Sequence, residues 1–260
     1  MQADFNTMAE TLEQALTDLQ AERDAVAELL ESRRMLFAGI SHELRTPVAT
    51  LRSYLEASRR QVGEDQQADL AIMEREVLRL QRMIDDVFTL ARTDVDQLRI
   101  DSQPVEPGAL AARTVQAIKW QAWQAKKVDI VLEHQPSLPL IRVDETRLEQ
   151  IMYNLLRNAV RHTPPGGLVS VVVMPEADMV RINVRDTGSG IADVDLPHIW
   201  ERFYRADAVR AEDQDGSGLG LALVKELTEA MGGRVGVETS PGEGSCFCVW
   251  LPRVSKKPTP

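Results

Sequence analysis

Two cysteines are all that this 260-residue chain contains, and no apolar run in it reaches the ~18 residues that cross a bilayer. Cys246 and Cys248 stand in a C-F-C triplet on an expected strand. Their side chains then share one face and are badly placed to pair with each other. Two reduced thiols of a cytosolic protein are the expectation. No signal-peptide pattern is present, so nothing in the sequence is expected to span a membrane. Basic residues are in deficit, 30 Lys and Arg against 40 Asp and Glu, for a formal net charge of −10. That balance argues against non-specific binding to nucleic acid. Glycine and proline are missing from residues 1–34, which favours an unbroken helix there. Hydrophobic residues make up 43% of the chain, enough for one larger and one smaller domain.

Within that first helix Leu12, Leu19 and Val26 recur at intervals of seven, and Ala15 and Leu29 fit the intervening positions of a coiled-coil seam. The helix continues into F-A-G-I-S-H-E-L-R-T-P-V-A-T-L-R-S-Y-L, Phe37 to Leu55. Ile40, Leu44, Val48, Leu51 and Leu55 form one apolar stripe, while His42 lies on the solvent face with Thr46 beside it. An exposed histidine is ordinarily a plain surface residue. Glu43, however, can fix the imidazole tautomer and make the other ring nitrogen a better nucleophile. Pro47 removes the amide that would bond the Glu43 carbonyl and should bend the helix just past the histidine. A zinc site of the H-E-x-x-H kind is excluded, because position 46 is Thr. After a turn around Gly63, a second helix to about Arg92 sets Leu70, Met73, Val77, Leu80, Ile84, Phe88 and Ala91 on one face. This hairpin exposes too much apolar surface to stand alone. Two copies should pair as a four-helix bundle, making the protein a homodimer.

Residues 101–107, with Pro104 and Pro107, read as a linker, and a mixed α/β pattern follows. Helices are expected over Ala109 to Gln124, over Asp144 (an N-cap) to His162, and over Leu219 to Met231. Strands are expected over Val128 to Glu133, Leu168 to Met174, Met179 to Asp186, Arg234 to Thr239 and Ser245 to Leu251. The fold class is α+β and multidomain: a helical hairpin that dimerises, then helices on one side of a mostly antiparallel sheet, a two-layer α/β sandwich.

Four separated signals in this second domain need one explanation. N-L-L-R-N-A-V-R-H-T sets Asn154, Asn158 and Arg161 on adjacent turns of one helix face. Amide oxygens suit Mg²⁺ and a guanidinium suits phosphate, although two asparagines on a helix are more often caps or surface residues. D-T-G-S-G-I places Asp186 after a strand, where its carboxylate could accept from an exocyclic amine. Gly188 and Gly190 would let the backbone approach a ring. D-G-S-G-L-G-L puts three glycines before a helix, an arrangement that favours phosphate. It is neither a Walker loop nor a Rossmann turn. The polar stretch Asp207 to Asp215, between W-E-R-F-Y-R and these glycines, reads as a lid.

In this order the motifs resemble the cytoplasmic catalytic core of sensor histidine kinases of two-component systems. S-H-E-L-R-T-P is similar to that family's phospho-acceptor box and N-L-L-R-N-A-V-R-H-T to its N box. D-T-G-S-G-I, E-R-F-Y-R, D-G-S-G-L-G-L and G-E-G-S resemble its first glycine box, F box, second glycine box and last small turn. The opening D-F-N-T-M-A-E-T-L resembles the last helix of a HAMP linker. The resemblance implies a Bergerat (GHKL) ATP-binding fold. It divides the chain into a signalling coiled coil (1–34), a dimerisation and phosphotransfer domain (35–100), a linker (101–107), an ATP-binding domain (108–254) and a disordered tail (255–260).

It also implies roles. His42 would be phosphorylated from ATP with Glu43 as base, and Thr46 would place a water for dephosphorylating the partner. Asn158 would bind Mg²⁺, with Asn154 and Arg161 holding phosphates and the metal's water, and His162 beside the nucleotide. Asp186 would read the adenine amine, with Gly188, Gly190 and Ile191 against the ring. Arg202 or Arg205 would reach the γ-phosphate from the box that holds Phe203. Gly216, Gly218, Leu219 and Gly220 would line the triphosphate. Arg161 and His162 stand where many members carry Lys and Tyr. His134 and His198 match no box. The phosphoryl group would pass to an aspartate of a separate response regulator, and the location implied is the cytoplasmic portion of a bacterial inner-membrane sensor. Any membrane link would come through an upstream segment. Two other readings stay open: a dimeric nucleotide-binding switch without catalysis, and an ATPase of the gyrase or Hsp90 type. The second would want a Glu where Asn154 stands.

Overall fold

The computed structural model describes residues 14, 16–24, 26–27, 30, 39–40, 44–56, 66–93, 99–135, 137–206 and 217–254. His42, Glu43, Gly216, the turn at Gly63, the 207–215 stretch, the 255–260 tail and the seam positions Leu12, Ala15 and Leu29 lie outside the described residues. The chain divides into two compact units, Met1–Leu80 and Gln81–Pro260.

In the first unit the described residues between 14 and 30 are helical and exposed, Leu19 and Val26 included. Helix α1 takes in residues 44–56 and helix α2 spans Gln66–Thr93, crossing the division between units. On α1, Thr46 is exposed, Pro47 is buried, and the Thr50 hydroxyl donates to the Thr46 carbonyl at 3.1 Å. Of the apolar stripe, Val48 and Leu55 remain exposed, and on α2 so do Leu70, Val77, Ile84 and Phe88.

The second unit holds a two-stranded and a five-stranded sheet. Strands β1 (Gln103–Val105) and β3 (Ile141–Val143) pair antiparallel. The five-stranded sheet has the order β2-β4-β5-β7-β6, built from β2 (Asp129–His134), β4 (Leu168–Glu176), β5 (Met179–Asp186), β6 (Arg234–Ser240) and β7 (Gly244–Pro252). Only β2 against β4 is parallel within it. The strand β1 lies inside the stretch read from sequence as a linker. Three residues are too few to show a period of two, and the partner stands some way along the chain.

Helices α3 (Pro107–Lys126), α4 (Glu145–His162) and α5 (Gly220–Ala230) pack on one face of the large sheet. Alternation decides which face. Val169, Val171, Val173, Val180, Ile182, Val184, Phe247, Val249 and Leu251 are all buried, and on α4 they meet Leu148, Ile151, Met152, Leu155, Leu156 and Ala159. Those α4 positions recur at helical spacing, and Asn154 and Asn158, both half-buried, stand on the flank of that stripe.

Asp144 fixes where α4 begins. Its Oδ1 accepts from the Arg147 amide at 3.1 Å, and its Oδ2 accepts from the Asp101 amide at 3.1 Å. The side chain therefore caps a helix and ties down the segment ahead of β1. Asp144→Ala should cost about 1–2 kcal/mol, read as a lower urea midpoint with an unchanged slope. An unshifted midpoint would mean that water replaces both bonds.

Candidate functional site

A cavity of about 400 Å³ opens where α4, the turn after β5 and the start of α5 converge, a size suited to a ligand of nucleotide dimensions. Asn154, Asn158 and Arg161 line it from successive turns of α4, followed by His162. The Lys126 ammonium holds the end of that helix, donating to the carbonyls of Arg161 and Thr163 at 2.5 and 3.1 Å. A cation there complements the negative end of the helix dipole.

Asp186 ends β5 inside the cavity wall and is buried. Its Oδ1 accepts from the amides of Gly188 at 2.8 Å and Ser245 at 3.3 Å, which leaves Oδ2 for a ligand. Burial raises its pKa above the usual carboxylate range, against the pull of those two amides and of Arg185. Gly188 is dictated by space: a Cβ there would come within 2.5 Å of the His162 carbonyl oxygen. Across the cavity Gly218 and Gly220 line the entry to α5. At Gly218, φ is +68° and a Cβ would sit 2.7 Å from the Phe203 backbone, whose amide donates to the Gly218 carbonyl at 2.9 Å.

The expected residues separate into two groups. Asn154, Asn158, Arg161, His162, Asp186, Gly190, Ile191, Arg205, Gly218 and Gly220 all line this one cavity. Leu219 instead is fully buried in the core, and Phe203, at φ +62°, braces Gly218 from behind. Arg202 is turned to α5, where its Nε and Nη2 reach the Glu226 carboxylate at 2.8 and 2.7 Å. Both side chains are less than a fifth exposed, at 17% and 19%. Of the two arginines offered for the same role, only Arg205 lines the cavity. The sequence reading passed over Asp195, Tyr204, Ser245 and Phe247, which line it too. The Tyr204 hydroxyl donates to Asp195 Oδ1 at 2.6 Å. Tyr204 and Ser245 stand inside the quoted motifs E-R-F-Y-R and G-E-G-S, so position in those boxes was the available signal.

Amide oxygens and a guanidinium face a glycine-lined helix start across this cavity, so its chemistry suits a ligand with a polyphosphate tail and a base carrying an amine. That is the class of domain the fold and the cavity define. Residues 143–255 match the family described as histidine kinase-, DNA gyrase B-, and HSP90-like ATPase. Residues 32–95 match the His Kinase A (phospho-acceptor) domain. Among curated proteins the chain is similar to the sensor protein DivL of Caulobacter vibrioides, 34% identical over 247 residues, which are 94% of this chain and 31% of DivL. It is also similar to the signal transduction histidine-protein kinase BaeS of Escherichia coli, 34% identical over 257 residues, 96% of this chain and 54% of BaeS. The chain thus spans about a third to a half of these relatives. Among solved structures, full-length ShkA in complex with AMPPNP matches with a TM-score of 0.63 and 30% identity, over 85% of this chain and 46% of ShkA. The chain thus carries, in this order, the phospho-acceptor and ATPase domains that make up a two-component sensor histidine kinase core.

Proposed function

We propose that this chain is an ATP-dependent protein-histidine kinase that phosphorylates His42 and passes the phosphoryl group to an aspartate of a separate response regulator. The observation that carries this reading is the gathering of Asn154, Asn158, Arg161, Asp186, Gly218 and Gly220, from three separate motifs, around one cavity. The AMPPNP held by ShkA supports a nucleoside triphosphate as the ligand. Asp186 would accept from the adenine amine, and the glycine-lined start of α5 would receive the phosphates. The carboxamide of Asn158 would hold a Mg²⁺, with Asn154 beside it for the phosphates and the metal's water. When bound, that ion would neutralise charge on the triphosphate. Arg161 and Arg205 would add positive charge around the transferred group.

Phosphorylation would form a bond from a ring nitrogen of His42 to the γ-phosphorus and break the bond to the β,γ-bridging oxygen. ADP would leave and Glu43 would take the imidazole proton. An amide at position 154 cannot activate water as a carboxylate would, so bound ATP should survive until the histidine arrives. Thr46 would serve dephosphorylation of the regulator. Residues 35–100 would form the phosphotransfer domain and 108–254 the ATP-binding domain. Residues 1–34 would be a HAMP-end coiled coil linking to a membrane segment. The exposed Leu70, Val77 and Ile84, spaced by seven on α2, favour a homodimer closed through that face. Val77→Glu should make it a monomer by sedimentation, and an unchanged dimer would move the interface elsewhere.

Incubation with γ-labelled ATP and Mg²⁺ tests the reading. Label on the protein that is stable to alkali, labile to acid and absent from His42→Gln is the expected result. Bound nucleotide without label would leave a non-catalytic switch, and steady phosphate release without label would leave an ATPase.

A further inference from the structure

The face of the five-stranded sheet turned away from the helices carries a cluster that plays no part in the nucleotide cavity. Cross-strand neighbours set Cys246 between Arg185 and Glu238, and Cys248 between Asn183 and Gly236. The two cysteines are 8% and 1% exposed, both thiols are free, and their sulfurs lie 3.9 Å apart. Arg181 closes over the pair. Its Nη2 lies 3.0 Å from Cys248 Sγ and 2.6 Å from Glu238 Oε1, and its guanidinium stacks 5.0 Å from the Trp250 ring.

Geometry first limits what two such thiols can do. A disulfide needs sulfurs about 2 Å apart and Cα atoms within about 7 Å. Two residues along an extended strand stand roughly 6.4–6.8 Å apart, at the edge of that limit. A metal ion asks for less. With sulfur ligands at about 2.3 Å on opposite sides of an ion, two thiolates stand about 4.6 Å apart, so the sulfurs would open by about 0.7 Å from their 3.9 Å separation. The ion can therefore sit between the sulfurs with little movement of the strand.

Charge and ligand count then choose the ion. A structural Zn²⁺ takes four ligands, whereas no group of three or more His, Cys, Asp or Glu that could hold a metal occurs among the described residues. The neighbouring carboxylate of Glu238 is already engaged by Arg181. A soft monovalent ion needs only the two thiolates. The resulting complex carries one negative charge beside the Arg181 guanidinium, which also faces Glu238 and Glu176. We propose that Cys246 and Cys248 form a two-coordinate site for a soft monovalent metal ion of the Cu(I) type, seated under Arg181.

Binding forms two copper–sulfur bonds and breaks the Cys246 S–H bond, together with that of Cys248 where it is still protonated. The protons go to water, and copper stays in the +1 state throughout.

The test is an anaerobic titration of the reduced chain, two reactive thiols confirmed, with Cu(I) buffered by bicinchoninate. The chain should withdraw one equivalent from the competitor, and X-ray absorption should find two sulfur neighbours on the bound copper. Cys246→Val and Cys248→Val, which keep an apolar strand, should each abolish uptake. Arg181→Gln should weaken it about tenfold through the lost positive charge. No uptake by the native chain would overturn the proposal, and so would full uptake by the double valine variant. Equal preference for Zn²⁺, or fewer than two sulfurs around copper, would overturn it as well. The sulfur count on the native chain decides the matter even where a variant fails to fold. None of these readouts depends on nucleotide.

Discussion

Asn158→Ala is expected to lower phosphorylation of His42 by about 10²- to 10³-fold, the size of effect seen when one preorganised electrostatic partner of a reaction centre is removed. Phosphoryl transfer leaves a protein little covalent work: it aligns the nucleophile and neutralises charge on the transferring group. Asn158 stands on the cavity side of α4, with Ala159 in the core immediately after it. Truncation at 158 therefore removes a hard oxygen donor without opening the hydrophobic interior. The expected signature is specific. Nucleotide affinity without Mg²⁺ should stay near the native value, while the gain in affinity on adding Mg²⁺ should shrink. Asn158→Asp should separate the two roles of the side chain, since a carboxylate keeps the metal and repels the phosphates. A variant that lost metal-free affinity as strongly as the metal-dependent part would make Asn158 a base or ribose contact instead.

Much of this arrangement was legible in the sequence because its signals are local. The N-cap at Asp144, the asparagine row on α4 and the glycines before α5 each follow from a few neighbouring residues. Strand limits were also readable, as in β5, where Met179 to Asp186 matches the expectation residue for residue. What escaped was non-local or very short. The pairing of β1 with β3 joins residues 103–105 to 141–143, and no periodicity can announce it. The choice between Arg202 and Arg205 was equally out of reach. It depends on Glu226, a residue of α5 that meets Arg202 only after folding. Tyr204 and Ser245 were passed over for a related reason, since Tyr204 enters the cavity wall from a loop and Ser245 from the start of β7, which meets Asp186 of β5 only after folding.

The Arg202–Glu226 pair bears on how the site is held. Arg202, Phe203 and Tyr204 are consecutive, and they reach Glu226, Gly218 and Asp195 respectively. One short segment thus ties α5, the turn before it and the 191–199 loop together. Partly buried ion pairs of this kind are costly to break singly, because the survivor is left without its counter-charge. The segment that delivers Arg205 to the cavity is in this way fixed at its root.

Asp186→Asn should carry the second large effect, a loss of about 10- to 100-fold in ATP affinity, the value of one buried hydrogen bond to a charged group. The native side chain uses Oδ1 for the Gly188 and Ser245 amides. An asparagine keeps that oxygen and so keeps the turn, but it presents an NH₂ where Oδ2 stood. Two donors, the new amide and the adenine amine, would then face each other. Inosine triphosphate has a carbonyl oxygen in place of that amine, so the same variant should hold it at least as well as the native chain does. Acid gives a second readout. Burial raises the Asp186 pKa, so ATP affinity should begin to fall at a higher pH than an ordinary carboxylate would allow. Stability moves the other way. With the folded-state pKa above the unfolded one, the ionised carboxylate costs the empty fold stability at neutral pH, and that cost is relieved as pH falls through the raised value. The asparagine variant should show neither trend, and titration of the nucleotide itself is common to both proteins. Equal acid sensitivity of ATP binding in the two, or an unchanged preference for ATP over inosine triphosphate, would assign the reading of the base to another residue.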